Sequence, residues 1–100
     1  MSKIKFLKTL QGVIAERLEE EPEKSYTARL AAKGTLKVAQ KLGEEAVELA
    51  LAAVAQDDSQ VAEEAADLIY HMLVLLALRG VKLSEVAAVL EERHAQALRI

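Results

Sequence analysis

Four carboxylates occupy helical positions in the two most apolar segments of the chain. Glu45 and Glu48 are three residues apart, and so are Glu64 and Asp67. At about 100° per residue, side chains three positions apart lie on one face of an α-helix. If the two segments form an antiparallel hairpin across the turn at residues 56–60, the pairs face each other at similar heights. The sequence therefore predicts a cluster of four carboxylates between two helices.

Such a cluster requires positive charge, because ionised carboxylates a few ångströms apart repel one another. The chain has no cysteine, which leaves oxygen and imidazole as the possible metal ligands. Oxygen ligands favour hard divalent ions such as Mg²⁺ or Mn²⁺. A single Glu-x-x-Glu pair is more often an ordinary solvated feature of a helix. Two facing pairs favour a metal site.

Two lysines precede the acidic residues on the same predicted helix. Lys37 lies about two turns before Glu45 and Lys41 about one turn before it. Metal ions on carboxylates with ammonium groups beside them suit a polyphosphate, whose oxygens both can share. A simpler interpretation makes Lys41 the helical ion-pair partner of Glu45 and Lys37 a solvated surface residue. Both interpretations remain open from the sequence.

A histidine follows the second acidic pair on the same helical stripe. His71 comes seven residues after Glu64 and four after Asp67. It could support one of the carboxylates through a hydrogen bond. It could equally be a buried histidine with its own partners, which is the more frequent case for such a position.

The spacing of apolar residues indicates that helices position these side chains. No segment shows the alternation typical of a strand. The predicted elements are a helix from about Ile4 to Glu20, a short helix through Ala32 capped near Ser25 and Thr27, a helix from Thr35 to about Gln56, a helix from the turn to Arg79, and a last helix capped by Ser84 and running towards His94. We therefore predict an all-α bundle of four to five helices in one domain, residues 1–100.

The third long helix of this set is apolar around nearly its whole circumference. A helix of that kind must be buried, and a chain of this size can rarely bury one alone. We therefore predict a homodimer with this helix near the interface. Gly43, inside the preceding helix, would allow close approach of a substrate or of a neighbouring helix.

Charge and composition exclude several classes of function. The net charge of −3 provides no basic surface for a nucleic-acid backbone, and the aromatic content of 3% is too low for a base-stacking platform. Apolar runs such as residues 72–78 are too short to span a bilayer. The first 21 residues lack the cleavage site of a signal peptide. Without cysteine, a cytoplasmic protein is expected.

Several motifs resemble those of a known family. The pattern EExxE at residues 44–48 followed by ExxD at residues 64–67 resembles the signature of the all-α nucleotide pyrophosphohydrolases, the MazG-like superfamily. The segments "SYTARLAAKG", "KLGEEAVELALAA" and "EEAADLIYHMLVLLALRGVKLSEV" are similar to its phosphoribosyl-ATP pyrophosphohydrolase family. This resemblance extends over about residues 10–94. The combination of segments is more specific than the acidic motif alone.

The resemblance implies hydrolysis of phosphoribosyl-ATP to phosphoribosyl-AMP and pyrophosphate, the second step of histidine biosynthesis, with Mg²⁺ required. Glu45, Glu48, Glu64 and Asp67 would hold the ions, which orient a water for in-line attack on the α-phosphorus. Glu44 would ligate an ion or accept the proton of the water; a structural salt bridge is the alternative.

The segment before the first acidic pair supplies candidate substrate contacts. Tyr26, Thr27, Arg29 and Lys33 are candidates for the phosphoribosyl and adenine ends, and a plain structural loop is the alternative. Some relatives carry a fused cyclohydrolase domain for the next step. With 100 residues and no cysteine for the metal site of that domain, the chain is expected to act with a separate enzyme.

Three other functions compete with this interpretation. Another nucleoside triphosphate could be the substrate of the same chemistry. A non-catalytic helical dimerisation module would use the acids only for solubility. A ferritin-like di-iron bundle needs two Glu-x-x-His motifs, and the sequence has one, at residues 91–94.

Overall fold

The computed structural model describes residues 2–96, and all regular structure in that range is helical. The elements are α1 (Phe6–Leu18), a short 3-10 helix (Pro22–Lys24), α2 (Tyr26–Ala32), α3 (Thr35–Ala55), α4 (Asp58–Arg79) and α5 (Leu83–Ala95). The prediction of an all-α bundle is confirmed. None of the helices in the described range is long and apolar enough to cross a membrane.

Helices α3 and α4 form the predicted antiparallel hairpin and make the most extensive contact of the bundle. The turn between them is closed by Asp57, whose side chain accepts a hydrogen bond of 2.9 Å from the backbone N–H of Gln60. Such a cap satisfies one of the free N–H groups at a helix start. Gly80 ends α4 in the left-handed conformation, with φ 72°.

Helix α2 begins where the sequence indicated. The Ser25 hydroxyl accepts a hydrogen bond of 3.2 Å from the backbone N–H of Ala28, while Ser25 itself is extended. Thr27 lies inside the helix and caps nothing at its start. Gly34 separates α2 from α3. Its φ of 97° is a backbone conformation that residues other than glycine rarely adopt.

The predicted cap of the last helix is wrong. Helix α5 begins at Leu83 after the N-cap Lys82, and Ser84 lies within its first turn. The Glu85 carboxylate accepts a hydrogen bond of 2.7 Å from the N–H of Lys82, and Gln11 Oε1 accepts one of 2.6 Å from the N–H of Leu83. These two acceptors satisfy two N–H groups at the helix start without a serine cap.

The core joins α1, α2, α3 and α4. Its buried apolar side chains are Ile14, Leu30, Val38, Leu73 and Val74. Most other apolar side chains of α4 are half-buried, so the chain alone covers much of this helix. No described residue of α5 is buried. The core therefore holds the α3–α4 hairpin and the start of α2, which carry the candidate site.

Candidate active site

Three of the four predicted carboxylates come together between α3 and α4. Each of Glu45, Glu48 and Glu64 has an oxygen within 4.8 Å of an oxygen of the other two. Glu45 is buried, Glu64 is half-buried and Glu48 is exposed. We call these three residues the acidic group. Asp67, one turn further along α4, is exposed and lies outside the group.

The two less exposed carboxylates are held in the same way, each from one turn earlier on its own helix. Lys41 Nζ lies 3.2 Å from Glu45 Oε1. Gln60 Nε2 donates a hydrogen bond of 3.2 Å to Glu64 Oε1. These contacts orient one oxygen of each carboxylate and leave the other oxygen for a different partner.

The second oxygens of these two carboxylates are the buried side-chain polar atoms that lack a hydrogen bond within residues 2–96. Oε2 of Glu45 and Oε2 of Glu64 are buried and have no hydrogen-bond partner among the described residues. A buried acceptor without a donor is costly, and more so when it is charged. A hard cation would give these oxygens the positively charged partner that the described residues do not provide. The donor set of the acidic group therefore fits a divalent ion.

Charge interactions within the acidic group point the same way. The negative charge of Glu45 raises the pKa of Glu48, and loss of solvation and the nearby Glu64 raise it further. The hydrogen bond and the charge of Glu45 raise the pKa of Lys41, which keeps its ammonium protonated. One ammonium beside three carboxylates leaves the group negative and able to attract a cation.

A cavity of about 320 Å³ adjoins the acidic group, on the side of α2 and the first half of α3. Its lining residues are Tyr26, Arg29, Leu30, Lys33, Lys37, Gln40, Lys41 and Glu44. Four of them are cationic, and Lys41 belongs to both regions because it also contacts Glu45. We call this region the basic cavity. The arrangement can bind an anion next to a metal site.

Most of the predicted substrate contacts line the basic cavity, and Thr27 does not. Thr27 is only 1% exposed, and its hydroxyl shares a hydrogen bond with the hydroxyl of Tyr70 on α4. Thr27 therefore joins two helices behind the cavity wall. Glu44 does line the cavity, where its carboxylate accepts a hydrogen bond of 3.3 Å from Gln40 Nε2.

His71 forms no hydrogen bond to a carboxylate of residues 2–96. Its Nδ1 donates a hydrogen bond of 2.7 Å to the backbone carbonyl of Asp67, and its Nε2 lies 2.9 Å from the hydroxyl of Tyr26. The ring is buried. Of the two interpretations of this residue, the buried histidine with its own partners describes the structure.

Sequence reasoning missed two glutamines and a tyrosine. Gln60 orients Glu64, Gln40 orients Glu44, and Tyr70 holds Thr27. The glutamines had a signal in the sequence, since each stands four residues before its acid, at the spacing of helical side-chain pairs. Tyr70 had none, because its partner is 43 residues away.

The fold and the site define an all-α protein with a carboxylate cluster beside a basic cavity. Such a combination is typical of enzymes that act on polyphosphates with the help of a metal ion. The model of the phosphoribosyl-ATP pyrophosphohydrolase family matches residues 7–94. The chain belongs to this family, and the resemblance seen in its motifs is confirmed.

Individual relatives agree with the family match. The chain is 54% identical over 87 residues to phosphoribosyl-ATP pyrophosphatase of Metallosphaera sedula, an alignment covering 87% of this chain and 94% of that protein. It is 52% identical over 89 residues to histidine biosynthesis bifunctional protein HisIE of Xanthomonas axonopodis pathovar citri, covering 89% of this chain and 43% of that protein. The chain thus spans less than half the length of the bifunctional relatives.

Proposed function

We propose that the chain hydrolyses phosphoribosyl-ATP to phosphoribosyl-AMP and pyrophosphate in histidine biosynthesis. Membership in the family supports the reaction and the substrate. The observation that carries the proposal is the pair of buried, unpartnered oxygens of Glu45 and Glu64 next to a cavity with four cationic side chains. A triphosphate chain would lie across both regions.

The acidic group is the proposed Mg²⁺ site. Glu45, Glu48 and Glu64 would hold the ion, and Asp67 stays a predicted further ligand at the exposed end of the site. When bound, Mg²⁺ supplies neutralisation of phosphate charge and activation of a water near the α-phosphorus. Gln60 and Lys41 keep the two less exposed carboxylates turned towards this position.

The residues of the basic cavity would bind and orient the substrate. Arg29, Lys33, Lys37 and Lys41 present positive charge for phosphate oxygens, and Lys41 does so while touching the acidic group. Glu44, which precedes Glu45 in the chain, lines the basic cavity, where its carboxylate could accept the proton of the attacking water. In-line displacement needs mainly positioning and charge stabilisation, which this arrangement supplies.

A homodimer is also part of the proposal. Four exposed apolar side chains, Leu36, Val47, Leu51 and Val54, share one face of α3. Gly43 lies on the same face, and a Cβ there would meet nothing within 4 Å in the described range. The sequence placed the contact near α4; we place it on α3, which packs against α4. Sedimentation at micromolar concentration should give a dimer, and a folded monomer would refute this part.

The direct test of the function is a comparison of substrates. Pyrophosphate release is measured with Mg²⁺ and phosphoribosyl-ATP, and then with a panel of nucleoside triphosphates. We expect phosphoribosyl-ATP to have the highest kcat/KM of the set. Preference for another triphosphate would favour the alternative pyrophosphohydrolase, and no release from any substrate would favour the non-catalytic module. A cytoplasmic location, expected from the sequence without cysteine, stays a prediction.

A further inference from the structure

Two crossed hydrogen bonds fasten the first turn of α2 to the middle of α4. Tyr26 pairs with His71, and the next residue, Thr27, pairs with Tyr70. The three rings pack together, with centroids 6.0 Å apart for Tyr26 and His71, 5.6 Å for Tyr70 and His71, and 6.5 Å for the two tyrosines. The proposed catalytic roles use neither His71 nor Tyr70, although both are close to the site.

The direction of the bonds at His71 follows from the chemistry of its partners. A backbone carbonyl can only accept, so the proton of the ring is on Nδ1, which donates to the carbonyl of Asp67. In the neutral tautomer with its proton on Nδ1, Nε2 has a lone pair to which the Tyr26 hydroxyl donates. Both nitrogens are used, and the buried imidazole is held in one orientation.

This chain of bonds ends at a ring that faces the basic cavity. Tyr26 is 46% exposed, and it lines the cavity together with the apolar Leu30. Its hydroxyl is fixed by His71, and its edge packs almost perpendicular to the imidazole, at 84°. The Tyr26 ring is therefore fixed by His71 and is also accessible to a ligand in the basic cavity.

The lining of the cavity divides by chemistry. The side chains of Arg29, Lys33 and Lys37 suit phosphate oxygens, whereas a ring of a nucleoside needs an apolar or aromatic surface. Tyr26 is the aromatic side chain of this lining. We propose that His71 is a positioning residue, which holds the Tyr26 ring as the wall against which the nucleoside part of the substrate packs. The proposal rests on the proposed function for the kind of substrate.

Kinetics of three variants test this role. Tyr26→Phe removes the hydroxyl and keeps the ring, and His71→Asn keeps a donor for the Asp67 carbonyl but is too short to reach Tyr26. Each should raise KM for phosphoribosyl-ATP about two- to tenfold, the effect of one lost hydrogen bond, with kcat changed by less than about twofold. The double variant should have a KM no higher than that of the more affected single variant, because both substitutions break the same hydrogen bond.

Two further variants separate positioning from general support of the fold. Tyr70→Phe removes the neighbouring hydrogen bond between the same two helices, and KM should stay at the wild-type value. His71→Gln can still reach the Tyr26 hydroxyl, so it should restore most of the affinity that His71→Asn loses. Additive losses in the double variant, or an equal rise in KM for Tyr70→Phe, would refute the proposal.

A spectroscopic measurement judges the role of His71 without a substrate. The chain has two tyrosines and no tryptophan, so the Tyr70→Phe protein has Tyr26 as its one source of tyrosine fluorescence. Adding His71→Asn should raise the acrylamide quenching constant of Tyr26, by up to about twofold, because the released ring gains solvent contact. Unchanged quenching would refute the positioning role even in an active enzyme. If quenching increases but the protein does not hydrolyse phosphoribosyl-ATP, the positioning role is supported and only the proposed function is refuted.

Discussion

Two polar regions lie against α4, and they are bonded in opposite ways. In the first, formed by Thr27, Tyr70 and His71, the buried side chains have partners. In the second, the acidic group, two buried carboxylate oxygens have none in the described range. The two regions are close along α4, because Glu64 and Tyr70 are less than two helical turns apart in the sequence.

This difference in hydrogen bonding indicates a different role for each region. A buried polar group with a partner costs little and fixes one arrangement, while a buried charge without a partner lowers the free energy of unfolding. The first region therefore holds α2 on α4. The second region is kept at a cost to stability, which a bound cation would remove. The changes proposed next affect the acidic group, the adjoining basic cavity and the cap of α2, the helix that carries Thr27.

The largest effect is expected in the acidic group. Glu45→Gln or Glu64→Gln removes a proposed metal ligand with almost no change in size. Turnover should fall roughly 10²–10⁴-fold, because charge stabilisation by a metal contributes several kcal/mol to the barrier. Circular dichroism should show unchanged helix content.

Glu63→Gln is the matched control, since it makes the same change at an exposed neighbouring position of α4. It should keep wild-type turnover. Near-normal activity of Glu45→Gln or Glu64→Gln, or an equal loss in the control, would contradict the metal assignment.

A smaller effect is expected in the basic cavity. Lys37→Ala removes one cation that lines the cavity and does not contact the acidic group. KM for phosphoribosyl-ATP should rise about tenfold with kcat nearly unchanged, the loss of one charged contact to phosphate. Lys24→Ala, exposed on the 3-10 helix and outside the cavity lining, should change neither constant. A KM that responds equally to both variants would mean that only net charge matters.

The next test concerns the N-terminal cap of α2, the helix that carries Thr27. Ser25→Ala deletes the acceptor for the N–H of Ala28 and should cost about 1 kcal/mol, or roughly 4–8 °C in melting temperature. The response of the protein to Mg²⁺ should not change. Ser84→Ala is the control, because Ser84 lies inside α5 and caps nothing. Equal losses in the two serine variants would contradict the cap assignment.

The smallest effect concerns the charge of Glu48 without metal. The pKa of Glu48 is raised in the folded protein, chiefly by Glu45, so the folded state binds this proton more tightly than the unfolded state. Its contribution to stability is present below the unfolded pKa and is lost as the pH rises through the folded pKa. Glu48→Gln should therefore melt slightly higher than wild type in a chelator at about pH 7, with little difference at about pH 4. A lower melting temperature of the variant at the higher pH would contradict the repulsion.

Helical periodicity and carboxylate spacing anticipated much of this site. The three-residue interval placed Glu45 and Glu48 on one face, and the turn signals at Asp57 allowed the hairpin that brings Glu64 to them. The position of Asp67 outside the group depends on the rotation of α4 about its axis, which tertiary packing sets. The pairing of Tyr70 with Thr27 depends on how α2 crosses α4, and no local pattern encodes it.

The most direct test of the central claim is the melting temperature as a function of Mg²⁺ at constant ionic strength. For wild type, Mg²⁺ at about 100 times Kd should add about 2.7 kcal/mol for one site, a rise of about ten degrees or more in a domain of this size. Glu64→Gln combined with Asp67→Asn should melt higher than wild type without metal and respond little to Mg²⁺. If the double variant melts lower without metal and still responds fully, these acids are not a cation site.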